Sequence, residues 1–464
     1  MTQNMLQRSK LWLLVAIIVT CAIGGGSNRI DAALLLPVRM VAAICTGLLL
    51  LAPGAGHARP VRTLAILLAG WGLLMGLQLL PVPPALWQSL PGRAGYADAA
   101  AIVGQAQPWR PWSLTPDLTL NSLVALIPIA GTLLGLSMLE QGQREWLVAF
   151  LITLALTSIL LASAQIAGGP GSVFYTYTKT YQGYAVGLLA NRNHQAVWLA
   201  ATLPLLAAWL RAPAASENRA NLRLLVVGAM VVLTFPAILL TGSRTGMALS
   251  VVGLAGFVLL VPVRGRMRRV FPTRTALVAA VAGVGVLLMA LFLLFGRALV
   301  IDRLLQGDYA GELRLINTPT TIALIWEYFP FGAGFGGFDP IFRGAETERM
   351  LRSTYFNHAH NDLLEVLLAG GIASAILLGA FAVWFTRATL ACWRATESAS
   401  KQDIVNGRAA GIGITILLLG SLTDYPLRTP FLGTIFILLC GLVAYGSAAA
   451  RNLRYKAGSN QVAF

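Results

Sequence analysis

Four polar clusters interrupt an otherwise apolar chain, and each holds residues able to do chemistry. The stretch "YFNHAHNDLLEVLLAGG" (355–371) carries His358, His360, Asn361, Asp362 and Glu365 immediately before Val366, Leu367 and Leu368. "ANRNHQA" (190–196) carries Arg192, Asn193 and His194, "TGSRTG" (241–246) carries Arg244, and "GELRLIN" carries Arg314. The planar fork of arginine binds phosphate oxygens in pairs and stays charged at any relevant pH. A neutral imidazole accepts a proton at physiological pH, and such general-base help is worth about 10²–10⁴ in rate. Arginines and a histidine at the rim of a hydrophobic span therefore suit a lipid phosphate or diphosphate with a base beside it. Plainer readings exist for each cluster: Arg244 as an interface anchor, His194 as a helix cap, Arg314 as a solvated charge. His194, His358 and His360 also allow a three-histidine zinc site with an open position, although HExxH is absent.

The elements that must position these residues are membrane helices. The chain is 57% hydrophobic and 11% charged, with mean hydropathy +0.72, whereas a soluble domain carries roughly 25% charged residues. Apolar runs recur near 11–27, 31–52, 61–80, 118–139, 146–166, 191–210, 222–241, 246–263, 275–296, 361–386, 409–423 and 430–450. Runs of this length read as transmembrane helices. The expectation is an all-α polytopic membrane protein of about 12 spans, with a long extracytoplasmic loop before the tenth. Residues 11–23 imitate the apolar part of a signal peptide, but no small-x-small site follows, so they read as the first helix.

The net charge of +16 suggests nucleic acid until it is sorted by topology. With the N-terminus inside, the inner segments hold 20 basic and 5 acidic residues, while the outer segments hold 13 of each and Arg39 lies within a span. The excess is the positive-inside bias of a membrane protein, so no nucleic-acid partner is implied. All four polar clusters fall on the outer face in this orientation. The cysteines Cys21, Cys45, Cys392 and Cys440 lack CxxC spacing and imply neither a disulfide nor a zinc framework.

Two outer loops stand out. Residues 81–117 are rich in Pro and Trp and read as a surface loop with Trp anchors in the interface. Residues 297–360 contain "TPTTIALIWEYF" (318–329), which predicts a short helix with Thr318 as N-cap and Pro319 at its first position. "GAGFGGF" then spells GxGxxG through Gly332, Gly334 and Gly337. The strand and helix that a dinucleotide site needs are missing from its flanks, so a tight turn with close backbone approach is the better reading. His360 is expected to begin the helix of the tenth span. Asp362 and Glu365 are expected to cap that helix or bind sugar hydroxyls. Residues 1–454 read as one transmembrane domain and 455–464 as a disordered tail.

These residues resemble the O-antigen ligase and Wzy-type polymerase superfamily of envelope glycosyltransferases, most strongly over about 170–375. The resemblance rests on "NRNHQA", "TGSRTG", Arg314 followed by "FPFGAGFGGF", and "HNDLLEVLLAGG". The last is similar to the ligase pattern of His, Asn, nine residues and Gly, here His360, Asn361 and Gly371, with Ser374 where the family usually has Gly, Thr or Tyr. "QLLPVPPALWQSLPG" and "PWSLTPD" are more similar to exopolysaccharide members. The resemblance implies a GT-C-like fold and a glycan donor on undecaprenyl diphosphate. It implies an acceptor hydroxyl on a lipid-linked repeat or on lipid A core, and inversion without metal or other cofactor. Arg244 and Arg314 would hold the diphosphate and His360 would activate the acceptor. Arg192, Asn193, His194, Asn361 and Asp362 would bind substrate, and His358 would be structural. Polymerisation of surface polysaccharide is the leading expectation, with ligation to lipid A core second. A lipid-glycan flippase is a further alternative. It fits less well, because the polar clusters lie at one mouth and the halves do not repeat. A non-catalytic membrane scaffold remains as a last alternative.

The charge sorting makes a direct prediction. In intact spheroplasts, an impermeant thiol reagent should label Gly344→Cys and leave Arg268→Cys unlabelled. The reverse pattern would invert the topology.

Overall fold

A computed structural model describes residues 3–29, 32–53, 59–262, 268, 272–295, 309–347, 356–395 and 402–461. Every apolar run read from the sequence contains a helix among the described residues. The helices are α1 (Gln3–Gly24), α2 (Leu35–Leu51), α3 (Arg62–Gln78), α4 (Pro84–Ser89), α5 (Ala94–Ile102), α6 (Pro116–Val124), α7 (Leu126–Ser137), α8 (Gln141–Gly168) and α9 (Arg192–Arg211). They continue as α10 (Glu217–Thr241), α11 (Arg244–Leu260), α12 (Arg274–Phe295), α13 (Tyr309–Glu327), α14 (Phe338–Ala345), α15 (Asp362–Trp393), α16 (Gln402–Ser421) and α17 (Pro430–Gln461). The only strands among the described residues are the two-residue pair Pro81–Val82 and Arg110–Pro111. Among the described residues, seven helical stretches are long and apolar enough to cross a membrane, and α2, α11 and the start of α12 are shorter apolar helices. The protein is therefore a multi-pass membrane protein. Neither α1 nor α9 is among the seven. In α9, Arg192, Asn193, His194, Gln195 and Arg211 dilute its apolar character.

Burial explains how α9 keeps its place. It is enclosed on all sides from His194 to Ala208, as befits a helix at the centre of a bundle. Trp198 meets Phe431 edge to face at 5.6 Å. Without a hydrophobic driving force between helices in lipid, close approach relies on small residues. Gly246 and Gly253 of α11 lie directly on Ala196 and Ala200 of α9. At the same end, Gly420 of α16 packs on Val197. These contacts bring the N-termini of α9 and α11 together with the C-terminus of α16.

The glycine-rich turn has a specific receptor. Helix α15 breaks at Gly371 (φ 53°, ψ −135°). The turn docks into the break: Pro330 O accepts from Ile372 N at 2.9 Å, Ala333 N donates to Leu368 O at 2.9 Å, and Gly334 N donates to Ala369 O at 3.0 Å. Backbone groups released by the break are thus satisfied inside the protein, as a membrane segment requires. Gln78 of α3 completes the joint, donating to Ala369 O at 2.9 Å and accepting from Phe335 N at 3.3 Å. The GxGxxG spelling is therefore a close-approach turn.

Several expectations need correction. The helix expected to start at Thr318 starts at Tyr309 and carries Pro319 in its interior. The segment before Thr318 is itself helical, so Thr318 caps nothing. Loop 81–117 is largely exposed, but part of it folds onto the glycine turn, so its tryptophans are not all surface anchors. Trp87 is buried and donates to Pro111 O, and Arg93 is buried with Nη2 bonded to Trp112 O at 2.9 Å and Gly332 O at 3.4 Å. Trp109 stays exposed. Residues 455–461 continue α17 where a tail was expected, and 462–464 lie outside the described residues.

Gly371→Ala should destabilise the protein by about 2 kcal/mol or more, because a Cβ there meets Pro330 O and the backbone is left-handed. Gly379→Ala, with open space at its Cβ in the same helix, should be neutral. Thermal unfolding in detergent measures both, and equal melting temperatures would refute the docking account.

Candidate active site

The hairpin between α16 and α17 supplies the centre of the site. Asp424 is buried there, between Thr423 and Tyr425. Its carboxylate collects donors from three parts of the chain. His360 Nδ1 lies 3.2 Å from Oδ1, and His194 Nε2 lies 3.6 Å from the same oxygen. Asn193 Nδ2 donates to Oδ2 at 2.8 Å, Asn191 Nδ2 donates to it at 3.4 Å, and Tyr425 N donates to Oδ1 at 3.0 Å. The start of α9 adds its helix dipole, which favours an anion there. Burial alone would raise the Asp424 carboxyl, but the hydrogen bonds and charges of His194 and His360 outweigh it. They hold it well below the usual carboxylate range.

A second charge knot lies four residues on. Arg428 Nε meets Asp362 Oδ1 at 3.0 Å and Arg428 Nη1 meets Glu365 Oε1 at 3.1 Å. Burial works against the Arg428 charge, yet Glu365 and Asp362 prevail and raise the guanidinium above its ordinary value. Glu365 also holds His358 Nδ1 at 2.9 Å and accepts from Ala359 N at 3.1 Å. The ring of Tyr425 stands between the two knots, its centroid 4.3 Å from that of His358, 5.0 Å from His360 and 5.2 Å from His194. Burial, then the Asp424 charge, pushes its phenol up.

The partners fix which nitrogen of each histidine is committed. His358 gives Nδ1 to Glu365, and its Nε2 accepts from Asn28 Nδ2 at 2.6 Å, so both nitrogens are occupied. His360 gives Nδ1 to Asp424, and among the described residues its Nε2 has no partner. A carboxylate accepting from Nδ1–H leaves Nε2 as the basic nitrogen. His194 turns Nε2 toward Asp424, and among the described residues its buried Nδ1 has no hydrogen-bond partner. Among the described residues, no three His, Cys, Asp or Glu side chains are grouped so as to hold a metal ion.

The structure brings most of the expected residues to one end of the bundle. Arg192 joins two clusters: Nη1 donates to Gly242 O at 3.3 Å, and its guanidinium lies 4.5 Å from the Tyr184 ring centroid and 5.5 Å from that of Tyr181. Thr423 Oγ1 donates to Thr245 Oγ1 at 3.3 Å, which sets the "TGSRTG" turn beside the Asp424 hairpin. Arg244 is exposed as the first residue of α11, where the helix dipole repels a cation and attracts an anion. Arg314 lies in α13, and its side chain falls outside the described part of that helix.

Three local roles differ from expectation. His360 precedes α15 and does not begin it. Its backbone is left-handed at φ 49°. The N-cap is Asn361, whose Oδ1 accepts from Leu364 N at 3.1 Å while Nδ2 donates to Leu422 O at 3.1 Å. Asp362 and Glu365 therefore do not cap; they face Arg428. At α9 the cap is Asn191, not His194. Asp424, Tyr425 and Arg428 were not singled out in the sequence. The available signal was one acid and one base in the short "TDYPLR" link between two apolar runs.

Residues 229–379 match the family model described as O-antigen ligase. The matched stretch includes Arg244, Arg314, His360, Asn361 and Gly371, while Asn191–His194 and Asp424 lie outside it. No curated protein matches the chain. Over this stretch, about a third of its length, the chain is thus similar to the O-antigen ligase/Wzy-type family.

The depressed Asp424 carboxyl fixes a sign. Its folded-state value lies below the unfolded one, near 3.9, so its stabilisation is complete above about pH 4 and is lost as pH falls through the depressed value. The melting-temperature gap between wild type and Asp424→Asn should be fully open at pH 5 and begin to close as the pH falls below about 4. A gap independent of pH would show that Asp424 is not held ionised.

Proposed function

We propose that the protein is an inverting, metal-independent glycosyltransferase. It would move a glycan from undecaprenyl diphosphate to an acceptor hydroxyl on the periplasmic face of the bacterial inner membrane. In this reading the bundle has about twelve spans and a GT-C-like architecture. One observation carries the reading: of the two histidines before α15, only His360 has its Nδ1 on a buried carboxylate and its Nε2 without a partner among the described residues. That is the geometry of an oriented general base.

The proposed step is a single displacement. His360 Nε2 takes the proton of the acceptor hydroxyl while that oxygen attacks the anomeric carbon from the face opposite the diphosphate. The anomeric C–O bond breaks, and its electron pair leaves with the diphosphate oxygen. Asp424 keeps His360 in the required tautomer and stabilises the imidazolium that forms. Arg244 and Arg314 neutralise the charge that develops on the diphosphate, so the proposed route needs no metal. Asn193 and His194 line the acceptor side through Asp424, and Arg192 fixes the turn that carries Arg244. Asn361 and Asp362 act on substrate only through the placement of His360.

Polymerisation of exopolysaccharide or O-antigen repeats is the favoured activity. It is supported by 78–92 and 111–117, which resemble exopolysaccharide members and belong to the region that folds over the glycine turn. Ligation to lipid A core is the second reading, favoured by the description of the matched family. Offering purified protein a lipid-linked repeat or lipid A core as acceptor separates them.

His360→Ala should abolish transfer and leave donor binding intact, while His358→Ala keeps a substantial fraction of turnover. Arg244→Lys and Arg314→Lys should impair transfer strongly, because a point charge cannot replace a bidentate fork, while Arg268→Lys is silent. Transfer by purified variants, with donor binding measured in parallel, decides the matter. Wild-type turnover in His360→Ala, equal loss in both histidine variants, or full activity in Arg244→Lys would overturn the assignment.

A further inference from the structure

A crevice of about 750 Å³ separates α3 from α6 and α7, well away from the histidines. One wall is built from small residues of α3, including Ala65, Ala69 and Gly72, and the other from Leu126, Ala130 and Leu133. Arg59 and Arg62 line one end. The opposite end of α3, at Gln78, is bonded to Ala369 in the helix that follows His360. The two arginines therefore lie at the other membrane face from the site, about 24 Å away along the helix.

Two features of this crevice call for an occupant of mixed chemistry. Its body is an apolar trough that small side chains leave open between two poorly buried spans. Protein interiors and helix contacts in lipid do not tolerate such a gap empty, so an apolar chain must fill it. Its mouth is cationic: Arg59 and Arg62 are exposed, and among the described residues neither makes a hydrogen bond or an ion pair. A pair of guanidinium groups above an apolar trough is complementary to a phosphodiester above an acyl chain.

We propose that this crevice binds an anionic glycerophospholipid, with one acyl chain between α3 and α7 and the headgroup phosphate on Arg59 and Arg62. The site is separate from the transfer chemistry and does not depend on it. Its occupant wedges α3 against α7 from the face opposite the catalytic end, and α3 carries Gln78, which braces the break in α15.

The test uses the full-length protein in nanodiscs made from equal parts phosphatidylglycerol and phosphatidylcholine, with retained lipid counted by native mass spectrometry. Wild type should retain phosphatidylglycerol over phosphatidylcholine by roughly tenfold. Arg59→Gln with Arg62→Gln should retain lipid without headgroup preference, and Ala69→Trp, which fills the trough, should lower retention of both lipids. On wild type alone, phosphatidylglycerol should raise the melting temperature more than phosphatidylcholine does. Equal retention of the two lipids by wild type, or an unchanged phosphatidylglycerol complement in the variants, would overturn the proposal.

Discussion

A carboxylate buried at the end of an apolar helix bundle is untenable unless several donors converge on it. Asp424 imposes that condition here. It draws Asn191, Asn193 and His194 from the start of α9, His360 from the turn before α15, and the Tyr425 amide from its own hairpin. Three elements far apart in sequence are thereby fixed at one point. Breaking a buried pair of this kind costs about 3–5 kcal/mol, because the surviving charge stays buried. Arg428 repeats the arrangement with the opposite sign, holding Asp362 and Glu365. One short link between α16 and α17 thus carries an anion that holds His360 and a cation that fixes the first turn of the helix behind it.

The backbone obeys the same rule. A helix broken within the membrane leaves carbonyl and amide groups that lipid cannot satisfy. Gly371 permits the break, and the turn at 330–334 fills it with main-chain bonds from a different segment. Both sides of the joint require glycine, since Gly332 presses on the Ala369 carbonyl and Gly371 on that of Pro330. The break sets the direction of the first two turns of α15 independently of the remainder. Asn361 and His360 are therefore aimed by a joint about ten residues away. Arg93, Trp87 and Tyr328 pack over the outside of that joint, which gives the Pro- and Trp-rich loop a structural task.

Hydropathy made the helices legible, because each apolar run is long relative to its boundaries and almost nothing else in the chain competes with it. It could not rank them by burial: α9 is among the most enclosed helices and yet one of the less hydropathic, since its polar first turn belongs to the site. The start of α13 was misread because Thr318–Pro319 imitates a helix start, whereas the preceding turns tolerate the proline. At the site, arginine and histidine clusters were visible as departures from an apolar background. Asp424 was not, because an acid in "TDYP" is what any turn between two spans would hold. Only packing puts it next to residues 64 and 233 positions away. Likewise, spacing could not show that Asn361 and Asn191, not their charged neighbours, cap their helices.

The difference between His358 and His360 is a matter of two residues and one torsion. Among the described residues His360 is the only non-glycine with positive φ. Such a conformation costs about 1–2 kcal/mol for a residue with a side chain, so its surroundings must enforce it. They do so from both sides: the Ala359 amide is held by Glu365, and Asn361 is fixed as the N-cap of α15. Pinned at both neighbours, the chain turns at His360 and sends its ring to Asp424, away from the carboxylate that takes His358. An extended residue at 360 would set both imidazoles along one strand-like edge, competing for Glu365. The strained torsion separates them. It leaves one histidine committed to the framework through both nitrogens and the other held through Nδ1 alone among the described residues.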